Sequence, residues 1–237
     1  MSLEELVRLR VSELDELYRA RSAAVEARVR LPLALRLDGV GFGGALSGYS
    51  RPRDAAVHRA LLEGAAELLH RLSASCAYVV SDEVNLLLLG PHLPYGGRVE
   101  KLVSVSAALL SARVSLLLGR CLIFDSRVVP LEGVEDARRY VLYRARVGLN
   151  NYVGSLLHAA GARVPEGSKL ERQIELLEQL GVRLASRPVW EWGGTSVYWA
   201  LQGGRRVVAM AEGPWRLLEE VERYRSPEAE QRLKGSE

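Results

Sequence analysis

The chain has 237 residues, 48% of them hydrophobic, enough to bury a sizeable core in one large domain or in a domain with a smaller lobe. Its net charge of +3 permits a basic face beside an acidic pocket without announcing a nucleic-acid binder. No uninterrupted apolar stretch reaches the roughly 20 residues of a membrane span, Glu4 and Glu5 give an acidic start unlike a signal peptide, and Cys76 and Cys121 lack any disulfide or zinc spacing, so a cytoplasmic protein without membrane association is expected.

Residues 3–29 carry Leu, Ala, Glu and Arg at helical spacing and predict one or two amphipathic helices, a pattern that Pro32 ends. Leu33 to Leu37 is a short apolar run bounded by Asp38 and Gly39, a strand entering a glycine-rich turn. A long helix is predicted from Arg53 to Leu72, with Leu61, Ala65, Leu68 and Leu72 on one face. Two apolar runs follow, Ala77 to Val80 and Val84 to Leu89, separated only by Ser81, Asp82 and Glu83, which reads as a tight hairpin with carboxylates at its tip. A helix from Arg98 to Leu118 and a strand from Cys121 to Leu131 complete the order β-α-β-β-α-β. That order is the split β-α-β arrangement of ferredoxin-like and palm folds, an α+β class with the helices expected on one face.

From Val134 onward, helices are predicted over 135–160 and 168–180, the second closed by Gly181. Gly203 and Gly204 join Val197–Leu201 to Arg206–Met210 as another hairpin. The expected division is therefore N-terminal helices and catalytic palm over 1–132, a smaller helical and hairpin part over 133–225, and a polar tail over 226–237.

Asp38 ends the first strand and Asp82 tips the hairpin beside it, so two carboxylates remote in sequence can converge. Mg²⁺ takes oxygen ligands and usually binds one or two carboxylates plus substrate phosphates, and a two-ion centre suits in-line displacement at phosphorus. Turn formation accounts equally well for both aspartates on pattern alone. Gly39, Gly41 and Gly44 spell a dinucleotide-binding fingerprint, but no acidic residue ends a second parallel strand where that fold needs one, and Asp38 would repel a pyrophosphate. What survives is a loop of low side-chain bulk whose backbone N–H groups can wrap a triphosphate. Arg98 and Lys101 share one face at a helix start and either hold phosphate oxygens or are a solvated surface.

Several motifs agree in order: Arg36-Leu37-Asp38-Gly39 with Phe42, Arg51-Pro52-Arg53-Asp54, Ser81-Asp82-Glu83, Arg98 through Lys101 to Ser104, Phe124-Asp125-Ser126-Arg127, and Asn150-Asn151. Together they resemble the tRNA-histidine guanylyltransferase family, in particular its archaeal and bacterial guanylyltransferase-like branch. The resemblance implies a polymerase-like palm and template-dependent 3′-to-5′ addition of GTP or another NTP to the 5′ end of a tRNA, for end repair or tRNA-histidine guanylylation. It implies two Mg²⁺ ions on Asp38, Gly39 and Asp82, with Glu83 in the neighbouring acidic position. Nucleotide contacts are implied for Gly39, Val40, Gly41, Phe42, Gly43, Ser81, Asp82, Arg98 and Lys101, and RNA contacts are read at Arg144, Asn150, Asn151 and Arg172. ATP is an expected partner for 5′ activation, and a homodimer or homotetramer an expected assembly. The chain departs from the usual pattern at Val40, Gly43, Arg51, Tyr143-Arg144-Ala145 and Gly148. A palm-type nucleotide cyclase and a non-catalytic tRNA-binding relative are the alternatives.

Overall fold

The structure is a computed structural model that describes residues 10–165 and 167–225. Helix α1 (Val11–Ala23) leads into strand β1 (Leu33–Gly39), a short helix α2 (Phe42–Ala45) and the long helix α3 (Ala55–Arg71). The side chain of Asp54 caps α3, accepting from the amides of Ala56 and Val57. Strands β2 (Cys76–Val80) and β3 (Glu83–Leu88) form the predicted hairpin, followed by helix α4 (Val99–Leu118) and strand β4 (Phe124–Pro130). Then come α5 (Val134–Ala159), α6 (Leu170–Gln179), the single turn α7 (Val189–Gly193), the hairpin β5 (Thr195–Gln202) and β6 (Arg205–Glu212), and α8 (Trp215–Glu222). The predicted stretches before residue 10 and after 225 lie outside the described residues.

The six strands form one sheet in the order β4-β1-β3-β2-β5-β6, antiparallel at every junction. Its first four strands carry the split β-α-β connectivity that the order of elements predicts. Two expectations change. The β5–β6 hairpin, placed by the sequence in a separate C-terminal part, pairs through β5 with β2 and so extends the same sheet. Helices cover both faces rather than one. Leu33, Leu35, Leu37, Val84 and Leu86 face α3 and α4, while Ala34, Tyr78, Val80 and Leu87 pack with Val141 of α5 and Leu217 of α8.

This double covering explains why β2 and β3 are buried along their whole length and read as continuous apolar runs. Each fully buried leucine in these layers contributes on the order of 1.5–3 kcal/mol by leaving water. A third cluster, Tyr152, Val153, Leu156 and Leu157 with Leu170 and Leu177, fixes α6 on the far half of α5. Helix α4 has the length and mean hydropathy, 1.6, of a membrane span, although Glu100, Lys101 and Arg113 interrupt its apolar run. It packs along α3 and the sheet through Leu102, Leu110 and Val114.

Candidate active site

The register that pairs Asp38 with Glu83 brings the end of β1 beside the β2–β3 turn. Only Ser81 and Asp82 separate Val80 from its partner Glu83. Ser81 has φ 60°, a left-handed position that two-residue hairpin loops usually give to glycine. Its hydroxyl donates to Asp82 Oδ1 at 2.9 Å, and Arg36 Nη2 donates to Asp38 Oδ2 at 2.8 Å. The second oxygen of each aspartate makes no hydrogen bond among the described residues. Burial pushes the Asp38 carboxyl above the usual carboxylate range; Arg36 opposes this, and the negative charges of Asp82, Glu83 and Asp125 add to it. Asp38 and Asp82 are thus near enough to repel one another, and a cation between them would relieve that repulsion.

Among the described residues no three His, Cys, Asp or Glu side chains form a ready-made metal cage. Two carboxylates with an oxygen to spare are nevertheless the usual protein share of a magnesium site, with phosphate and water completing the octahedron. The donor set fits such an ion.

The loop after β1 is shaped by its glycines. A Cβ on Gly39 would lie 2.5 Å from the Phe42 ring, so no other residue fits there. Phe42 is itself buried in the core, edge-on to Phe124 with centroids 4.9 Å apart, and anchors the loop. Gly41 has φ 66° and opens α2, Val40 is half exposed, and Arg51 Nη2 donates to the carbonyl of Gly43. Arg51, one of the departures from the usual pattern, therefore braces the loop.

Beside the turn lies a cavity of about 670 Å³, within the size range of small-ligand sites. Phe42, Gly43, Ser81, Asp82, Asn150 and Asn151 line it together, uniting residues from three separate stretches of the chain. Asp38, Gly39, Val40 and Gly41 stand outside its wall.

Other predicted site residues lie elsewhere. Glu83 is 3% exposed and accepts from Arg36 Nε at 2.5 Å, Asn85 Nδ2 at 2.7 Å and Arg144 Nε at 2.8 Å, with Arg144 Nη2 closing a two-pronged pair. Both of its oxygens are engaged by protein donors, unlike those of the two aspartates, so its expected place among the catalytic carboxylates is occupied by a buried ion cluster. Arg144, expected to contact RNA, is 7% exposed and committed to the same cluster, which leaves it little surface to offer a ligand. Arg98 and Lys101 start α4 next to Ala27 and Val29, at the Leu33 end of β1. That end is about 17 Å along the strand from Asp38 at the rise of an extended chain. Neither Arg98 nor Lys101 is among the residues that line the cavity. Arg172 is exposed on α6 and pairs with Glu175 at 2.9 Å. Gly148 has a packing reason: a Cβ there would fall 2.2 Å from Val80 Cγ2, leaving no room for a side chain.

Sequence reasoning gave no role to His58, which also lines the cavity. Its Nε2 lies 2.9 Å from Thr195 Oγ1 and its ring stacks on Trp190 with centroids 4.6 Å apart. These partners are too remote in sequence to be read from local spacing. Burial, then the charge of Arg53, lowers the His58 pKa to about 4. With a folded value below the unfolded one near 6.5, the neutral ring stabilises the fold fully above pH 6.5 and progressively less as pH falls toward 4. The whole contribution is on the order of 3 kcal/mol. The difference in urea midpoint between wild type and His58→Asn should therefore shrink from pH 7 to pH 4; a constant difference would show that His58 does not titrate in this way.

A family model described as Thg1, tRNAHis guanylyltransferase, matches residues 20–132, which span β1, the glycine loop and the β2–β3 turn. Over those residues, just under half of the chain, the sequence matches the Thg1 family. Thg1 family members are tRNA guanylyltransferases, which makes nucleotidyl transfer the reaction class. The fold is similar to that of a bacterial tRNA(His) guanylyltransferase (Thg1)-like protein in complex with ATP, with TM-score 0.72 and 21% identity over 92% of this chain and 97% of that one. It is similar also to a bacterial Thg1-like protein in complex with GTP, with TM-score 0.69 and 18% identity over 93% of this chain and 99% of that one. For the tRNA(His) guanylyltransferase of Saccharomyces cerevisiae the values are 0.59 and 16%, over 79% and 94%. No curated protein sequence matches the chain.

Proposed function

We propose that this chain adds nucleotides to the 5′ end of a tRNA in the 3′-to-5′ direction, using a polymerase-like palm and a magnesium centre carried by Asp38 and Asp82. The observation that carries this reading is the meeting of Asp82, Ser81, Asn150 and Asn151 on one nucleotide-sized cavity, with Asp38 alongside in the register. The nucleotides bound by the two bacterial structures of similar fold add support. Magnesium, when bound, would neutralise the phosphates and stabilise the oxygens exchanged at phosphorus.

The chain's own groups then divide the work. Asp38 and Asp82 supply the anionic ligands, and Arg36 and Ser81 each hold one of their oxygens so that the other can turn outward. The Gly39–Gly43 loop offers backbone N–H groups to phosphate oxygens. Asn150 and Asn151, exposed on α5 across the cavity from the turn, can hydrogen-bond nucleotide or RNA. The attacking group is the 3′ hydroxyl of the incoming NTP, which gives up its proton as it bonds to the activated 5′ phosphate of the tRNA, and the activating group leaves from the opposite side of that phosphorus as AMP from an adenylylated end or pyrophosphate from a triphosphate end.

The test is incorporation of labelled NTP into a tRNA truncated at its 5′ end. Mg²⁺-dependent extension directed by the opposite acceptor strand is expected. A cyclic nucleotide formed without RNA would replace this reading with a cyclase, and tRNA binding without turnover would replace it with a non-catalytic binder.

A further inference from the structure

Arg53 occupies the wall of the cavity between the glycine loop and α3. Its Nη1 donates to the carbonyl of Pro52 at 3.0 Å, and its guanidinium lies 5.8 Å from the centre of the Tyr152 ring. Its Nε and Nη2 are buried, and neither finds a hydrogen-bond acceptor among the described residues. Asp82 and Glu191 are near enough to act on it electrostatically, yet neither forms an ion pair with it. Glu191 instead accepts from the Tyr152 hydroxyl. The other charged groups nearby are committed as well. Asp54 Oδ1 accepts from two helix amides and its Oδ2 from the Ser50 amide, while Arg51 is tied to Gly43.

A buried cation with two unmet donors on one edge is costly to hold, and a protein that keeps one in a cavity has a ligand to offer it. The Nε and Nη2 edge of an arginine is a planar fork that matches two oxygens of one phosphate. We propose that Arg53 is a phosphate-binding residue whose Nε and Nη2 take two oxygens of a substrate phosphate inside the cavity. This inference deepens the proposed function and rests on the cavity being a substrate site. The phosphate has two sources, the triphosphate of an NTP and the 5′ phosphate of the RNA. The same fork also fits O6 and N7 of guanine, which the test separates.

Equilibrium binding would be measured on the full chain with Mg²⁺ for wild type, Arg53→Met and Arg53→Lys. The probes are GTP, inorganic tripolyphosphate and guanosine, and one tRNA carrying either a 5′ phosphate or a 5′ hydroxyl. Arg53→Met should weaken the phosphate-bearing probe of one set about 10- to 100-fold, as expected for losing a charged bidentate contact, and leave its phosphate-free counterpart unchanged. The set that responds names the source. Arg53→Lys should fall between, retaining charge without the fork. The ligand-free melting temperature of Arg53→Met should not drop, because an unmet buried charge is removed. Equal weakening of guanosine would make Arg53 a base contact, unchanged binding of every probe would leave it without a ligand role, and a lowered melting temperature would make it structural; each overturns the proposal. Nucleotide transfer by Arg53→Met with unaltered KM for NTP and tRNA would sink this assignment while sparing the polymerase reading. Arg53-dependent binding of tripolyphosphate by a wild type that transfers nothing would do the reverse.

Discussion

Asp82→Ala should yield a folded protein that has lost nucleotide transfer by at least about 10³-fold, the scale on which removing one group that stabilises developing charge acts. The fold has little stake in this side chain. Asp82 sits in a two-residue turn, and its hydrogen bond among the described residues comes from its neighbour Ser81. Urea unfolding should therefore shift by less than about 1 kcal/mol, as for an exposed polar substitution. Asp38→Ala should abolish transfer equally. In the wild type, activity should fall on acidification from a higher pH than an ordinary aspartate would set, because burial and the neighbouring carboxylates raise the Asp38 pKa and protons compete with the cation for it. Substantial transfer by either folded variant, measured at saturating Mg²⁺ and NTP, would refute the assignment of the centre.

The route from sequence to this site was legible where local rules govern it. Short apolar runs on both sides of Ser81-Asp82-Glu83 specify a hairpin, and β-α-β-β-α-β order leaves few ways to lay its strands beside Leu33–Leu37, so the approach of Asp38 to Asp82 follows from topology. What stayed hidden depends on direction and distance. Arg98 and Lys101 match a motif, yet whether a helix start lies near or far from a strand end is decided by the path of the chain, which here sends it to the Leu33 end. Glu83 looks like a third active carboxylate until α5 delivers Arg144 to it from 61 residues away. Helix α8 was the local signal left unread: Leu217 and Val221 are four apart soon after Pro214, a pattern too short to stand out within the 133–225 part.

Glu83→Gln should destabilise the protein by about 3 to 5 kcal/mol while sparing the chemistry. The reason lies in the charges left behind. Burial acts to lower the pKa values of Arg36 and Arg144, and hydrogen bonding and charge from Glu83 more than offset this, holding both above the usual arginine value. An amide in place of the carboxylate keeps the shape, removes the charge and leaves two guanidinium groups facing one neutral partner at a site where Glu83 and Arg144 are shielded from water. Against a typical domain stability of 5–15 kcal/mol that loss is a large fraction of the whole. Denaturant unfolding measures it, and an apolar triple replacement, Arg36→Met with Glu83→Leu and Arg144→Met, should recover most of the lost stability, since well-packed apolar groups commonly match a buried ion cluster. Transfer by Glu83→Gln, assayed at a temperature where it remains folded, should stay within about tenfold of wild type, because the residue works through position and does not reach the cavity. A 10³-fold loss in the folded variant would restore Glu83 to the catalytic set, and a stability change below about 1 kcal/mol would mean that the two arginines find other partners.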